Sequence, residues 1–215
     1  LYKLSAFLPL SFETVWASEG DFVGELRKLL QQGLNKALAS YLMTGTGSAQ
    51  NTGLLVGIKA IGSSDNVVAS ASDNDLVKAD FVSLQNALGA GHQNQASWLS
   101  TTTIWNEARD LFGTVSNAWS QGDNAVPSLY GRPTYVESHL DTAYAAAQAD
   151  VAIYGDIGRA FTVVTGVAPK IDVIPQLLGS NQRPTGETGL FLNMFVGSDV
   201  VEDNAAYVLQ VSDAP

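Results

Sequence analysis

The chain of 215 residues contains no cysteine. Disulfide bonds, thiolate zinc sites and cysteine nucleophiles are therefore all excluded. The absence also fits a protein that is made in a reducing cytoplasm.

The chain has few charged residues, and fewer of them are basic than acidic. Charged residues make up only 15% of the chain, and 11 Lys and Arg stand against 21 Asp and Glu, a formal net charge of −10. Binding to phosphate groups needs clustered basic residues, so direct DNA binding and adhesion to an anionic membrane are not expected. A weakly charged surface is also compatible with one that neighbouring molecules cover.

Long apolar runs are missing too. No stretch approaches the roughly 20 residues that a membrane-spanning helix needs. The first residues, LYKLSAFLPLSF, lack a basic leader and a small-residue cleavage site, so we expect no signal peptide. Because the chain starts at Leu1 and not at Met, we expect further residues upstream.

A long helix is the clearest local feature. Ser18 and Asp21 have capping-box spacing, and the following residues predict a helix from about Asp21 to Met43, roughly 34 Å long. Before it, YKLSAFLPL predicts a strand, with Pro9 suited to a sheet edge. The inward stripe of the helix recurs at helical spacing and consists of Phe22, Leu26, Leu29, Leu30, Leu34, Leu38, Tyr41 and Leu42.

The glycine-rich stretch YLMTGTGSAQNTGLL, residues 41–55, raises the question of a phosphate-binding loop. Such a loop opens a helix, whereas Gly45, Thr46 and Gly47 close one, and the Lys and Ser/Thr of the motif are missing. Gly45 and Gly47 are instead expected to take left-handed conformations in a C-cap and hinge. After Gly53, LLVGIKAI predicts a buried strand.

The remaining elements predict an α+β fold and not an alternating βαβ protein. Ser72 and Asp75 repeat the capping-box spacing before a helix at about 74–89, ASWLS predicts a strand, and a third helix runs from about Thr102 to Phe112. The inward residues expected for this third helix are Ile104, Trp105, Ala108, Leu111 and Phe112. Residues 113–127 predict an exposed loop. Later strands are expected in RPTYVESH, ADVAIYGDI, AFTVVTG, KIDVIPQLL, GLFLNMFVGSDV and AAYVLQVS.

Metal and acid–base chemistry have few candidates. Glu137 and His139 lie two apart on a predicted strand, so they share a face and form a possible pair of metal ligands, although a surface pair without a third ligand is the simpler interpretation. His92 is expected to be a solvated turn residue. The acidic residues near the long helix are explained by its dipole; they are Glu13, Glu19, Asp21 and Glu25.

Four tryptophans offer a possible stacking platform, but Trp105 fits a core position and Trp119 fits an interface. The others are Trp16 and Trp98. No residue set supports a catalytic, cofactor-binding or metal-binding site, so we expect neither enzymatic activity nor a cofactor.

The order of segments resembles the major capsid protein family of tailed bacteriophages, whose fold also occurs in herpesvirus capsid floors and encapsulins. The resemblance covers nearly the whole chain. It lies in KLSAFLPLSFETVWASEGDFVGEL, LMTGTGSAQNTGLL, SLYGRPTYVESHL, ADVAIYGDIGRAFTVVTG and NMFVGSDVVEDNAAYVLQVSDA. Thr46 departs from the family, which has an acidic residue in this glycine loop.

The resemblance implies a major capsid fold in which residues 1–54 form a peripheral domain with the end of the E-loop and a spine helix. Residues 55–189 would form the axial domain, with loop 113–127 at the capsomer centre, and residues 190–215 a returning strand of the peripheral domain. Asn193 is similar to the asparagine that some members cross-link to an E-loop lysine. That lysine would lie upstream, so no cross-link is predicted.

The resemblance further implies a subunit that assembles with itself into pentamers and hexamers of an icosahedral virus or prophage shell. The shell would be built in the bacterial cytoplasm and would enclose double-stranded DNA. Its further partners would be a scaffold, a maturation protease and a portal, and no membrane is involved. An encapsulin-type cargo compartment and a small metal-binding hydrolytic domain that uses Glu137 and His139 are the alternatives.

Overall fold

The computed structural model describes residues 1–17, 21–61, 66–113, 119–120, 127–144 and 148–212, without the side chains of residues 17, 119 and 120. The chain forms two compact units. The first contains residues Leu1–Thr52 and Val163–Ser198, and the second contains Gly53–Thr162 and Asp199–Pro215. Each unit is therefore built from two separate stretches of the chain.

Helices and strands follow one another without a regular alternation, which confirms the predicted α+β class. A 3₁₀ turn covers Gln93–Gln95. In chain order the elements are β1 (Tyr2–Ser11), α1 (Phe12–Ala17), α2 (Phe22–Thr44), α3 (Leu54–Ala60), β2 (Val67–Ala69), α4 (Lys78–Ala87), β3 (Ser97–Ser100), α5 (Thr102–Phe112), β4 (Trp119–Ser120), β5 (Ser128–Leu129), β6 (Arg132–Val136), β7 (Gln148–Gly155), α6 (Ile157–Ala160), β8 (Phe161–Ile174), β9 (Glu187–Val200) and β10 (Ala206–Ser212).

The first unit packs helix α2 on a three-stranded sheet with the order β1-β9-β8. Alternate residues of β9 point toward the helix, because successive side chains of a strand lie on opposite faces. Leu192, Met194 and Val196 are buried there and contact Leu34 of α2. Strand β1 pairs with β9 alone, so Pro9 lies on an edge strand as predicted.

The long helix agrees with its prediction to within one residue at each end. Its N-cap is Asp21, whose Oδ1 accepts a hydrogen bond from the Gly24 amide at 2.9 Å. Ser18, the other half of the predicted capping box, lies outside the described residues. One position of the predicted inward stripe is wrong, because Leu29 is 59% exposed.

The second unit is built on a mixed seven-stranded sheet with the order β2-β10-β7-β3-β6-β5-β4. Strand β7 is central and antiparallel to both β10 and β3. Its residues from Ala149 to Gly155 are buried without alternation, as expected of a strand that is covered on both faces.

Aromatic side chains fill the core of the second unit. Trp98 is fully buried, with its ring centroid 4.1 Å from that of Tyr154 and 5.9 Å from that of Phe81. Helix α5 has the predicted bounds. Of its predicted inward residues, Ile104, Trp105, Ala108 and Phe112 are buried, whereas Leu111 is only half-buried.

Two predicted elements are wrong. LLVGIKAI is not a strand but contains helix α3, because its buried residues Leu54, Gly57 and Ile58 follow helical spacing, which a short apolar run does not distinguish from a buried strand. Helix α4 begins at Lys78, later than predicted, because the Asp80 carboxylate and not the Ser72–Asp75 pair caps it. Asp80 accepts a hydrogen bond from the amide of the N-cap residue, Val77.

The two units divide the chain differently from the predicted domains. Strand β8 from Val163 onward belongs to the first unit, because it lies beside β9. Strand β10 belongs to the second unit, because it pairs with β7 and β2. AFTVVTG and KIDVIPQLL lie on one strand, β8, and not on two.

In the described part of the chain, no helix combines the length and the hydrophobicity that a bilayer crossing requires.

Gly155 is placed where a side chain does not fit. A Cβ there would lie 2.5 Å from Cα of Ala206 and 2.7 Å from its Cβ, and would overlap the Ala205 carbonyl oxygen. We expect Gly155→Ala to lower the free energy of unfolding by about 1–3 kcal/mol, since the central pair β7–β10 must separate to admit the methyl group.

Urea unfolding followed by circular dichroism measures this change. Gly89→Ala is the matched control, since a Cβ there meets no atom within 4 Å, and its effect should stay within about 0.5 kcal/mol. Equal effects of the two substitutions would contradict the proposed crowding at Gly155.

Candidate functional site: the apolar surface of the first unit

The glycine-rich stretch forms a closed structural turn. Thr46 and Thr52 form an isolated antiparallel bridge, and the Tyr2 hydroxyl donates to the Gly47 carbonyl at 2.8 Å. The Asn51 side-chain amide donates to the Tyr41 carbonyl at 3.2 Å and to Ser198 Oγ at 2.6 Å. These bonds join the end of α2 to β1 and β9, and the turn is not a phosphate cradle.

The two predicted left-handed glycines behave differently. Gly47 has φ +76, as predicted. Gly45 has φ −59 and is required for another reason, because a Cβ there would overlap the carbonyl oxygens of Tyr41 and Asn51.

Glu137 and His139 are close together, but not through the predicted strand. Strand β6 ends at Val136, and the following turn places His139 Nδ1 2.5 Å from Glu137 Oε1. The described residues include no group of three or more His, Asp or Glu side chains that could hold a metal ion. The pair therefore binds itself and lacks the third ligand that a metal site would need.

His92 differs from its prediction as a solvated turn residue. Its side chain is only 17% exposed, and Nε2 lies 3.5 Å from Glu202 Oε1. Nδ1 is buried and has no hydrogen-bond partner among the described residues. The backbone amide of His92 donates to the Gly89 carbonyl at 3.0 Å and so closes the turn before the 3₁₀ segment.

The acidic residues near α2 serve the helix. Asp21 caps it, and Glu25 in its first turn lies 2.7 Å from Lys28. Glu13 is in the first turn of α1 and exposed, and Glu19 lies outside the described residues. The dipole interpretation holds for Asp21 and Glu25, which complement the positive end of α2.

The three tryptophans whose side chains are described do not form a stacking platform. Trp98 and Trp105 are buried in the second unit, where their indole Nε1 atoms donate to the carbonyls of Leu129 at 3.1 Å and Tyr135 at 3.0 Å. Trp16 is 83% exposed on α1. The side chain of Trp119 lies outside the described residues.

Three buried acidic residues escaped the sequence analysis, and two of them stabilise local structure through their carboxylates. The Asp80 carboxylate accepts hydrogen bonds from the amides of Ala71 and Val77, both at 2.8 Å. Asp150 lies 2.8 Å from Lys59 Nζ and accepts a further bond from Gln210. Buried carboxylates need such partners, so these two residues are tied to the fold. Asp156 is the N-cap residue of α6, but its side chain makes no capping hydrogen bond.

Tyr144 is likewise structural. Its hydroxyl donates to Glu107 Oε2 at 2.5 Å, and burial, together with the Glu107 carboxylate, raises the pKa of Tyr144. The phenol therefore stays a neutral donor and does not act as a base.

The most distinctive surface is apolar and lies in the first unit. Eleven of the fifteen large hydrophobic side chains that are exposed among the described residues belong to that unit, so the enrichment is not an average surface property. They are Leu1, Phe7, Phe12, Trp16, Leu29, Val163, Val164, Val167, Val173, Leu178 and Phe195.

A groove of about 400 Å³ runs between β1 and α2 in this unit. Its lining contains no charged residue and includes Leu4, Leu8, Leu26, Leu29, Leu30 and Gly33. We call it the β1–α2 groove. Open apolar grooves of this size are typical of surfaces that another molecule covers.

Strand β8 adds an exposed edge. Among the described strands it has a neighbour on one side only. Its two charged residues, Lys170 and Asp172, lie 2.7 Å apart and neutralise each other. A long apolar edge strand without a net charge is prone to pair with other chains. Asn193 lies on the neighbouring strand β9, opposite Ser5 of β1, and is half-buried.

Comparison with known proteins adds independent findings. The profile of the Phage capsid family matches residues 1–211. A search of curated proteins found no match.

Solved structures share the fold. The capsid of an empty GTA particle, computed with C5 symmetry, has a TM-score of 0.82 at 21% identity. The match covers 99% of this chain and 74% of the GTA capsid chain. A chain of Mycobacterium phage Adephagia has a TM-score of 0.66 at 15% identity, and the match covers 99% of this chain and 72% of the phage chain. The SrpI encapsulin of Synechococcus elongatus PCC 7942 has a TM-score of 0.70 at 11% identity, and the match covers 98% of this chain and 74% of the encapsulin chain.

The ion pair of Lys59 and Asp150 predicts a measurable stability effect. Asp150→Ala leaves the Lys59 ammonium and the Gln210 amide without their shared acceptor, and Asp150 is 7% exposed. We expect the free energy of unfolding to fall by about 2–3 kcal/mol, at the low end for a buried pair because Lys59 is one-third exposed.

Glu25→Ala is the control, since it breaks an ion pair whose side chains are 69% and 68% exposed, and its cost should stay below about 0.5 kcal/mol. Chemical unfolding at pH 7 compares the two variants. If Asp150→Ala cost no more than Glu25→Ala, the buried pair would not stabilise the second unit.

Proposed function

The chain belongs to the phage capsid family and is a major capsid subunit, and we propose that it assembles with copies of itself into pentamers and hexamers of a closed icosahedral shell. The observation that carries this proposal is the family match over residues 1–211, nearly the entire chain. The enclosed material is double-stranded DNA, held by enclosure and not by sequence-specific contacts. A net charge of −10 is consistent with a wall that does not bind the packaged DNA tightly.

We relate the two units to the two domains that are expected in a capsid subunit. We assign the first unit, residues 1–52 and 163–198, to the peripheral domain and the second to the axial domain. The concentration of exposed apolar side chains in the first unit supports this assignment, since subunits that must meet on several sides need uncharged contact surfaces. Loop 113–127 remains the predicted element at the capsomer centre, and most of it lies outside the described residues.

The protein is proposed to have a structural role without turnover. The members of its family and fold are structural proteins. The virion capsid is its location, and the proposal adds assembly in the bacterial cytoplasm with a scaffold, a maturation protease and a portal as partners. Cross-linking through Asn193 is not proposed.

The alternatives have less support. An encapsulin-type compartment shares the fold, but the match to the encapsulin is only 11% identical and carries the fold alone. A hydrolytic domain built on Glu137 and His139 lacks a third ligand among the described residues. Stoichiometric zinc or manganese in the purified protein would restore that second alternative.

Electron microscopy tests the proposed function. The full gene product, with any upstream segment, is expressed alone and together with its neighbouring genes and examined by negative stain. We expect closed shells of uniform size or rings of five and six subunits, because heterologous contacts close by rotation. Lysate from cells with an empty vector, purified in the same way, is the control for host particles.

A subunit that stays monomeric at high concentration in both expressions would overturn the proposal. Closed shells that hold protein cargo and exclude DNA would replace it with the encapsulin-type compartment.

A further inference from the structure

We propose that Phe12 and Trp16 of one subunit insert into the β1–α2 groove of a second copy, and that this contact joins neighbouring subunits of the shell. The inference rests on the proposed function, since it needs copies of the chain to assemble. It names the two surfaces that meet, which family membership alone does not do.

The inserting surface is a pair of aromatic side chains on the short helix α1. Phe12 and Trp16 are four residues apart and therefore lie on the same side of the helix. They are 61% and 83% exposed, so the subunit by itself leaves most of both rings in water. Large aromatic side chains are the residues that most often anchor an interface, since each brings much apolar area at a small entropic cost.

The receiving surface is the β1–α2 groove. Leucines from both elements line it, and no charged side chain does. At Gly33 the wall of the groove has no side chain, and a Cβ there would meet no atom within 4 Å. Leu29, in the same wall, is 59% exposed. The groove is therefore open where a ring could enter and apolar where the ring would rest.

The occupant is a second copy because the two surfaces are different and belong to the same chain. Trp16 is 83% exposed, so it does not fill the groove of its own subunit. An anchor on one side and a groove on another make a heterologous contact, which generates rings and shells when the rotation closes. The uncharged lining offers nothing to a charged partner, whereas copies of this chain carry the matching apolar rings.

Two substitutions test the contact from its two sides. Gly33→Leu fills the groove, and since leucine favours a helix more than glycine does, the thermal midpoint of the free subunit should not fall. Trp16→Ala removes the anchor and leaves the groove unchanged. Each should raise the concentration needed for assembly of the full gene product by roughly 30-fold or more, the effect of losing an interface anchor.

Gly89→Leu is the control for the added side chain, since Gly89 is equally open and lies in the second unit. Tyr135→Ala is the control for the lost ring, since Tyr135 is 49% exposed on β6. Both controls should assemble at the concentration of the unmodified protein. Light scattering measures the threshold, and sedimentation velocity measures the size of what forms below it.

An equimolar mixture of the two variants distinguishes this contact from a symmetric one. The Gly33→Leu copy still carries Trp16, and the Trp16→Ala copy still carries an open groove. One intact contact can therefore form between them. We expect the mixture to form pairs at a protein concentration at which each variant alone stays monomeric. If Trp16 side chains covered each other across a twofold axis, the mixture would behave like its components, and the proposal would be wrong.

Tryptophan fluorescence of the assembling protein gives a second readout in a Trp119→Phe background. Trp98 and Trp105 are buried in the free subunit, so they contribute little to quenching by acrylamide. The part of the quenching that is lost in a Trp16→Phe variant reports on Trp16. We expect assembly to shift the emission to shorter wavelength and to protect it from the quencher. Emission that stays exposed in complete shells would overturn the contact.

The experiments distinguish a failure of this contact from a failure of the proposed function. Shells from the unmodified protein together with normal assembly of both variants would reject this contact and leave the proposed function standing. An unmodified protein that forms neither shells nor rings would reject the proposed function, and this inference with it.

Discussion

The first unit depends on the packing of one helix against alternate residues of one strand. Leu192 and Met194 of β9 point toward α2 and meet Leu34 there, while the intervening residues face the other side of the sheet. A single helix does not cover all three strands. The flank toward β1 stays open as a groove, and β8 stays exposed. The surfaces available to neighbouring subunits therefore follow from the packing of this one helix.

Some of the few charged residues of the chain lie in its interior. Asp80 and Asp150 are buried, and their carboxylates accept hydrogen bonds from backbone amides and from a lysine. Each replaces the water it loses by specific donors, since an unpaired buried carboxylate would be too costly. The β1–α2 groove of the first unit is lined without a charged residue, and apolar surfaces of this kind suit contacts between identical copies.

Prediction succeeded where local signals were long or strong. Helix α5 was predicted with its bounds and with all but one of its inward residues because about three turns of regular spacing define a face. LLVGIKAI was misassigned because a short apolar segment does not separate a helix from a buried strand. Glu137 and His139 do approach each other, but through the turn after β6, which a strand pattern does not describe. The open groove was not predicted, since Leu29 has the spacing of a core residue and its exposure depends on the neighbouring strand.

The sequence by itself determined the α+β class, the long helix and the resemblance to a capsid family, because these depend on composition, short-range spacing and the order of segments. Only the tertiary structure decided that β8 and β9 return to the first unit while β10 pairs with β7 in the second. It also decided which apolar side chains remain uncovered. These strand pairings join residues that are far apart in the chain, 51 positions for Ala206 and Gly155 and 194 positions for Tyr2 and Val196. No local pattern carries that information.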